Sequence, residues 1–165
     1  MELYFLRHGI AGNRDPKQFP DDRLRPLTDH GKAQIVTIAK KLKSFDIKFD
    51  FVVSSPYLRA AQTAELFAKV FKVNKECFKF TNLLASETNP KDLFKFLKQN
   101  RCSDSFRILV TGHEPFLSRL ISKLLSGKKH LEIRLEKSAI CKLTVRKLKK
   151  GSAAFHWLLP PVFFT

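Results

Sequence analysis

The feature that most limits the fold of this chain is a short run of large apolar residues near its first residue. Leu3, Tyr4, Phe5 and Leu6 follow the charged Glu2 with no polar residue between them. A continuous apolar run suits a strand that is buried on both faces, as in the middle of a parallel sheet. The run therefore predicts an α/β fold.

Helices alternate with further strands along the chain. Residues 49–53 and 107–111 are predicted as two more buried strands, and residues 78–80 as a short one. Residues 139–146 and 154–159 flank a Lys-Lys-Gly-Ser turn and predict a closing β-hairpin. Caps, prolines and apolar residues at helical spacing predict four helices. The first runs from Thr28 to about Ser44, and the second from Pro56, with Ser55 as its cap, to about Phe71. The third runs from Asn89 to about Leu97 and the fourth from Pro115 to about Ser126. The pattern predicts a three-layer αβα arrangement around a mainly parallel sheet with an antiparallel edge.

The length of 165 residues favours one domain over residues 1–165, with a core of substantial size. Lys and Arg number 31 against 15 Asp and Glu, and the resulting formal charge of +16 indicates an anionic partner. Phosphate groups, an acidic protein surface and nucleic acid all carry such charge. The lysines are spread along predicted helix faces, without an arginine-rich tail or a nucleic-acid module, so nucleic acid is the less favoured partner.

Cysteine usage and hydropathy indicate the compartment. Cys77, Cys102 and Cys141 are widely spaced and form no C-x-x-C pair, which is typical of reduced thiols in a cytosolic protein. No apolar run has the length of a membrane span, and the first residues lack the pattern of a signal peptide. We therefore expect a cytoplasmic protein with no membrane partner.

Charged side chains follow the predicted strands at the points where the strands end. Arg7 and His8 follow the first strand, Arg59 lies just beyond the second, and His113 follows the strand over residues 107–111. The carboxyl ends of parallel strands meet at one edge of a sheet, where ligands bind. Two arginines, two histidines and helix N-termini at that edge predict a pocket for a dianionic phosphoryl group.

Two neighbouring features extend this prediction. Gly9, directly after His8, leaves room for close approach to the backbone. A polar stretch over residues 10–27, with three prolines, is longer than most connections and is a candidate wall of the pocket. The two histidines have no companion ligands at metal-binding spacing, so neither a metal nor another cofactor is expected.

Four motifs in order resemble the histidine phosphatase superfamily, which has the phosphoglycerate mutase-like fold. They are R-H-G at residues 7–9, R-P-L-T-x-x-G at residues 25–31, S-S-P-x-x-R-A-x-Q-T at residues 54–63 and G-H-x-P at residues 112–115. The short chain, without an inserted lid domain, is most similar to the SixA phosphohistidine phosphatases. The resemblance runs from Leu3 to about Pro161 and covers nearly the whole chain.

The resemblance implies a role for each matching residue. His8 would attack phosphorus and form a transient phosphohistidine, which water then hydrolyses. Arg7, Arg59 and His113 would hold the phosphoryl oxygens and stabilise their charge in the transition state. The residues themselves agree on His8, because surrounding cations disfavour a protonated imidazole and keep its lone pair available.

The matching motifs contain two further candidates for substrate binding. Arg25 is a candidate to contact the phosphoryl group, with pairing to Asp21 or Asp22 as an equally favoured structural role. Ser55 is a second candidate, although capping of its helix is the favoured role for this side chain.

The proton donor is the weakest part of the pattern. Glu87 is the obvious carboxylate in the stretch where members that act on phosphate esters carry their acid, and its match is loose. An alkoxide leaving group gains about 10²–10⁴-fold from such an acid. An imidazole, whose unperturbed pKa is about 6.5, can leave without a dedicated donor. The favoured substrate is therefore phosphohistidine on a phosphotransfer or signalling protein, which the basic surface would attract.

Two alternatives remain. The first is a phosphatase for small phosphate esters or for Ser, Thr and Tyr phosphoproteins, in which Glu87 would be essential. The second is a non-catalytic domain that binds phosphate or nucleic acid. The intact R-H-G motif argues against the second, because binding alone does not need a nucleophilic imidazole.

Overall fold

Six strands form one mixed sheet in the part of the chain that the structure, a computed structural model, describes, namely residues 1–85, 89–100, 105–127 and 131–164. The strands are β1 (Glu2–Arg7), β2 (Phe51–Ser54), β3 (Phe78–Phe80), β4 (Arg107–Gly112), β5 (Ile140–Val145) and β6 (Ala153–Leu159). The helices of the same residues are α1 (Asp29–Ser44), α2 (Leu58–Phe71), α3 (Pro90–Gln99) and α4 (Phe116–Ser126). Short 3₁₀ turns lie between them, the first at Asp22–Leu24.

The strand order is β3-β2-β4-β1-β5-β6. The first four strands are parallel, and β5 and β6 add an antiparallel hairpin at one edge. This arrangement confirms the predicted fold class, and the described connections carry no inserted lid. None of the described helices is long and apolar enough to cross a bilayer.

The central strands are buried on both faces, as the apolar run predicts. Leu3 and Phe5 of β1 point into a core that α3 and α4 cover, whereas Tyr4 and Leu6 point into a second core under α1 and α2. Successive side chains of a strand face opposite sides, so every residue of this run is apolar because each face packs against helices. The result is a three-layer αβα arrangement.

The register of the parallel strands aligns their ends. Arg7 of β1 lies opposite Gly112 of β4, and Ser54 of β2 lies opposite Thr111 of β4. Since β4 is placed between β1 and β2, the residues that follow all three strands emerge at the same edge. This alignment brings the four predicted site residues together.

The caps of two helices are as predicted. The Thr28 side chain accepts a hydrogen bond from the Gly31 N–H at the start of α1, and the Asn89 side chain accepts one from the Lys91 N–H at the start of α3. Each cap satisfies an N–H group that has no partner inside its helix.

The predicted start of α2 is wrong. The helix begins at Leu58, its N-cap is Tyr57 with no side-chain hydrogen bond, and Ser55 does not cap it. Tyr57 has an extended conformation, with φ −62° and ψ 130°, so the chain runs on past Pro56 before it turns into the helix. The Ser55 side chain is therefore available for another contact.

Candidate active site

His8 and His113 face each other at the shared strand edge. Their ring centroids are 5.1 Å apart, and both side chains are buried, with exposed fractions of 5% and 9%. The Arg59 Nε–H, in the first turn of α2, points to His8 Nε2 at 3.4 Å. Arg7 precedes His8 at the end of β1. The structure thus brings together all four residues that the sequence placed in the pocket.

The tautomer of His8 follows from one hydrogen bond. Its Nδ1 lies 2.8 Å from the carbonyl oxygen of Gly9, and a carbonyl can only accept. Nδ1 therefore carries the ring proton, and Nε2 of the neutral ring carries the lone pair. That lone pair is on the side of the guanidinium of Arg59.

Gly9 positions His8 through its backbone. Its N–H donates to Thr63 Oγ1 at 3.0 Å and its carbonyl accepts from His8, so both of its polar groups are used inside the protein. A Cβ on Gly9 would lie 2.9 Å from Ile35 Cγ1 and 3.2 Å from Leu27 Cδ2. The close approach predicted at Gly9 is therefore made by core side chains, and substrate contact by this residue stays a prediction.

Ser55 orients the second histidine. Its Oγ accepts a hydrogen bond from the Tyr57 N–H at 3.3 Å and lies 2.9 Å from His113 Nε2. When the Ser55 hydroxyl donates to Nε2, the ring proton of neutral His113 resides on Nδ1. Nδ1 is buried and has no hydrogen-bond partner among the described residues. An N–H group at this position can donate to an oxygen of a bound anion.

Burial keeps both imidazoles neutral. It is the largest of the effects that lower the pKa of His8 to about 3. His113, Arg59 and Arg7 lower this pKa as well, whereas the hydrogen bond to Gly9 raises it. Burial, followed by the charge of Arg59, also lowers the pKa of His113 to about 3. The direction for His8 agrees with the sequence-based expectation, but burial contributes more than the surrounding cations.

Asp22 holds Arg59 and Arg25 in place, and of these two contacts only the one with Arg59 was not predicted. The Arg59 Nη1–H donates to the Asp22 carbonyl at 2.7 Å, and Arg59 Nη2 lies 3.0 Å from Asp22 Oδ2. The Arg25 Nε–H donates to Asp22 Oδ1 at 2.9 Å, and Arg25 Nη1 donates to the Gly12 carbonyl at 2.8 Å. The structural role proposed for Arg25 is thus observed with Asp22, while Asp21 pairs with Arg23.

The loop over residues 10–27 is a wall of the site, since Asp22 belongs to it. Burial by itself raises the pKa of Asp22, but hydrogen bonding to Arg25 and the charge of Arg59 outweigh burial and lower it. Asp22 is therefore ionised at neutral pH. In the sequence, the position of Asp22 three residues before Arg25 indicated a contact between these two residues. It gave no indication that Asp22 also contacts Arg59.

Arg7 donates one hydrogen bond to the protein and has one buried nitrogen without a partner among the described residues. Its Nη1 donates to the carbonyl of Leu135 at 3.0 Å, whereas its buried Nε has no hydrogen-bond partner in the described ranges. Guanidinium groups stay charged in proteins, and a buried donor without a partner is costly. Arg7 Nε is thus a buried donor that a phosphoryl oxygen could satisfy, and His113 Nδ1 is a second one in the tautomer that carries its proton there.

The remaining expectations concern the acid and a metal. Glu87, the candidate proton donor, lies outside the described residues. Within the residues that the structure describes, no group of three or more His, Cys, Asp and Glu side chains is arranged to hold a metal ion.

We expect the neutral histidines to make folding stability depend on pH. In the unfolded chain both imidazoles take up protons near pH 6.5, whereas in the folded protein they do so only near pH 3. The unfolded state therefore binds more protons between these values, and stability falls as pH drops through this window. Urea unfolding at about pH 7 and about pH 5 measures the loss.

A double variant, His8→Asn with His113→Asn, isolates the contribution of the pair. It should lose less stability than the wild type between the two pH values, while His30→Asn, at an exposed histidine, should lose as much as the wild type. An equal loss in the wild type and the double variant would contradict the assignment.

Comparison with known proteins gives consistent matches. A family model described as histidine phosphatase superfamily (branch 1) matches residues 3–79. A protein of Picosynechococcus with no assigned function is 30% identical over 141 residues, which are 85% of this chain and 82% of that protein. Phosphohistidine phosphatase SixA of Escherichia coli is 26% identical over 164 residues, 98% of this chain and 94% of that protein. A solved structure of SixA complexed with tungstate covers 100% of both chains with a TM-score of 0.84 and 24% identity.

Proposed function

Because the chain belongs to the histidine phosphatase superfamily, we propose that it removes the phosphoryl group from phosphohistidine on a phosphotransfer or signalling protein. The reaction passes through a covalent phosphohistidine on His8. The observation that carries the proposal is the hydrogen bond from His8 Nδ1 to the Gly9 carbonyl, which leaves a lone pair on Nε2 beside Arg59.

The reaction has two steps. In the first, the Nε2 lone pair of His8 forms a bond to phosphorus, and the bond from phosphorus to the substrate nitrogen breaks, with its electrons going to that nitrogen. The substrate ring, which carries a proton on its other nitrogen, leaves as neutral imidazole. In the second, water attacks the phosphorus of the enzyme intermediate, and the bond to Nε2 breaks. Inorganic phosphate and free His8 result, so one water is consumed for each phosphate released.

Positive charge at the site supports both steps. Arg7 and Arg59 supply guanidinium groups, and His113 supplies a further donor when its ring proton is on Nδ1. The transferred phosphoryl group carries its charge on the three equatorial oxygens, so fixed donors around them stabilise the transition state. These side chains supply charge that metal ions supply in other phosphoryl-transfer enzymes, and the proposed steps are metal-independent.

Two observations favour phosphohistidine as the substrate class. The Escherichia coli relative, similar over nearly the whole of both chains, is named a phosphohistidine phosphatase. The formal charge of +16 would attract an acidic protein partner over a distance. The leaving imidazole, in addition, makes smaller demands on an acid than an alkoxide does.

The proposal is tested by measuring phosphate release from two substrates. One is a phosphotransfer domain that carries phosphohistidine, and the other is p-nitrophenyl phosphate. We expect the wild type to act on the phosphohistidine protein with the higher kcat/KM. A radiolabelled phosphoryl group should form a transient adduct on the enzyme. This adduct should be labile in acid and stable in alkali, because these are the properties of a phosphohistidine.

Glu87→Gln separates this proposal from the ester alternative. Near-normal turnover of phosphohistidine by this variant agrees with the proposal. A wild type that prefers the ester, with a Glu87→Gln variant that has lost ester turnover, would instead identify a general phosphomonoesterase. The absence of turnover on every phosphorylated probe would overturn both.

A further inference from the structure

Two groups of lysines, far apart in the sequence, meet on one side of the protein. Exposed lysines of α3 and of the turn between β5 and β6 line a groove of about 600 Å³ together with two apolar residues. The lining lysines are Lys91, Lys95, Lys98, Lys149 and Lys150, and the apolar residues are Phe94 and Leu148. We call this feature the lysine groove.

The lysine groove is separate from the candidate active site, and no residue of the phosphoryl site lines it. The turn over residues 146–152 follows β5, whose last residue, Val145, donates its N–H to the carbonyl of Met1 at 2.8 Å. The turn is therefore at the sheet edge where β1 begins, whereas His8 lies beyond the other end of β1. At a rise of about 3.3 Å per residue, the two ends of this strand are roughly 20 Å apart. A ligand in the groove would leave the phosphoryl site unoccupied.

The core and the backbone fix the walls of the groove. Phe94 belongs to the core that α3 and α4 cover, and Leu148 packs against the same core. In the turn, the Gly151 N–H donates to the Lys123 carbonyl of α4 at 3.1 Å. The lysines are thus carried on ordered backbone, so a ligand does not have to order the groove when it binds.

The charge of the groove is not balanced within the described residues. No Asp or Glu lines the groove, and none of its lysines forms an ion pair with a described carboxylate. Lys91 and Lys95 are four residues apart on α3, a spacing at which like charges destabilise a helix. Lys91 also lies in the first turn, where the helix dipole disfavours a cation. Helix stability therefore does not account for this arrangement, which indicates an anionic ligand.

A second basic groove continues the first. It has a volume of about 380 Å³, shares Lys149 with the lysine groove and is also lined by Arg146 and Lys147. It has no lining carboxylate either. These two residues and the five lysines give seven cations along one path. A small anion would occupy one of the two grooves, whereas an extended chain can follow both.

The shape and lining of the path favour a peptide over other polyanions. Phe94 is only 5% exposed, so its ring is not available for the base stacking that proteins use to bind single-stranded nucleic acid. A flat bilayer would contact the rim of a concave groove but not its base. The carboxylates of an acidic peptide can reach the lysines, while an apolar side chain lies against Leu148 and the aliphatic stems of the lysines.

We propose that the lysine groove binds an acidic segment of a partner protein, in which an apolar side chain lies among the carboxylates. The binding uses neither His8 nor the other residues of the phosphoryl site. It can therefore be tested independently of the catalytic proposal.

A fluorescein-labelled peptide of Glu and Asp with one central Leu is the probe, and fluorescence anisotropy with the whole protein gives its Kd. The triple variant Lys91→Gln, Lys95→Gln and Lys98→Gln should bind about tenfold more weakly, because the ion pairs of three lysines are lost. Its helix content by circular dichroism should be unchanged, since Lys and Gln have similar helix propensities. Replacing the central Leu of the peptide by Ser should weaken binding to the wild type about fivefold or more.

The triple variant Lys40→Gln, Lys41→Gln and Lys69→Gln is the matched control. It removes the same charge from exposed lysines of α1 and α2, which cover the other face of the sheet. Its Kd for the peptide should stay within about twofold of the wild-type value, because salt at about 0.15 M screens exposed charges beyond about 8 Å.

Three results would overturn the proposal. An equal loss in both triple variants would show attraction by net charge alone. Equal affinity for the Leu and Ser peptides would show that the groove makes no apolar contact. If the α3 variant lost binding to a DNA oligonucleotide or to phosphatidylserine vesicles but not to the peptide, the occupant would be nucleic acid or lipid.

Discussion

Replacing His8 by alanine is expected to abolish phosphate release while the protein stays folded. The substitution removes the lone pair on Nε2, and we expect a loss of about 10⁴-fold or more in kcat, the scale observed when an enzyme loses its nucleophile. The backbone contacts of His8 should persist, because its N–H donates to the Gly112 carbonyl and its carbonyl accepts from the Ser138 N–H. Phosphate release and circular dichroism spectra measure the two effects.

His30→Ala is the control for this result. His30 is exposed on α1, so its loss should leave turnover at the wild-type level. The radiolabelled adduct should form in His30→Ala and be missing from His8→Ala. If His8→Ala retained turnover, or if its adduct formed as in the wild type, the nucleophile would have to be another residue.

Replacing Gly31 by alanine should destabilise the protein strongly, although alanine is the better helix former. Gly31 lies in the first turn of α1 and is the last residue of the R-P-L-T-x-x-G motif. A Cβ there would be 2.2 Å from the Ile10 carbonyl oxygen. That oxygen accepts the Thr28 N–H at 2.9 Å, so the clash also strains the contact that ties the loop to α1.

Two opposing effects decide whether Gly31→Ala raises or lowers the free energy of unfolding. Helix propensity favours alanine over glycine by about 1 kcal/mol. Overpacking costs about 1–3 kcal/mol, or more when the backbone must move, and a lost hydrogen bond adds about 1 kcal/mol. We therefore expect the free energy of unfolding to fall by about 1–3 kcal/mol, measured by urea denaturation.

Gly12→Ala provides the comparison in the same loop. A Cβ on Gly12 would meet only Phe19 Cε2 at 3.8 Å, an ordinary contact, so stability should change little. Equal stabilities of the Gly31→Ala and Gly12→Ala variants would show that the loop yields easily at Gly31.

The fold class and the four central residues of the site could be predicted from the sequence. Local signals predicted several elements that the structure confirms within a few residues. They are the apolar run of β1, the helix caps Thr28 and Asn89 and the closing hairpin. The placement of His8, Arg59 and His113 required one added fact, that parallel strands end at the same edge. Sequence position and strand direction were sufficient for that step.

The contacts that orient those residues depended on the tertiary structure. Asp22 binds Arg59 across 37 residues of chain, and Ser55 contacts His113 across 58. From the sequence, Ser55 before Pro56 indicated a helix cap, and Asp22 indicated no more than a local partner of Arg25.

Local signals were sufficient for the order of the elements, the fold class and the identity of the nucleophile candidate, because periodicity, capping and motif spacing act over a few residues. The tautomer of His8, the burial that lowers the pKa of both histidines and the partners of Arg59 depended on the folded chain. The physical reason is that hydrogen-bond geometry and desolvation arise where distant segments pack together, and they set the protonation state of a side chain whose identity is already known.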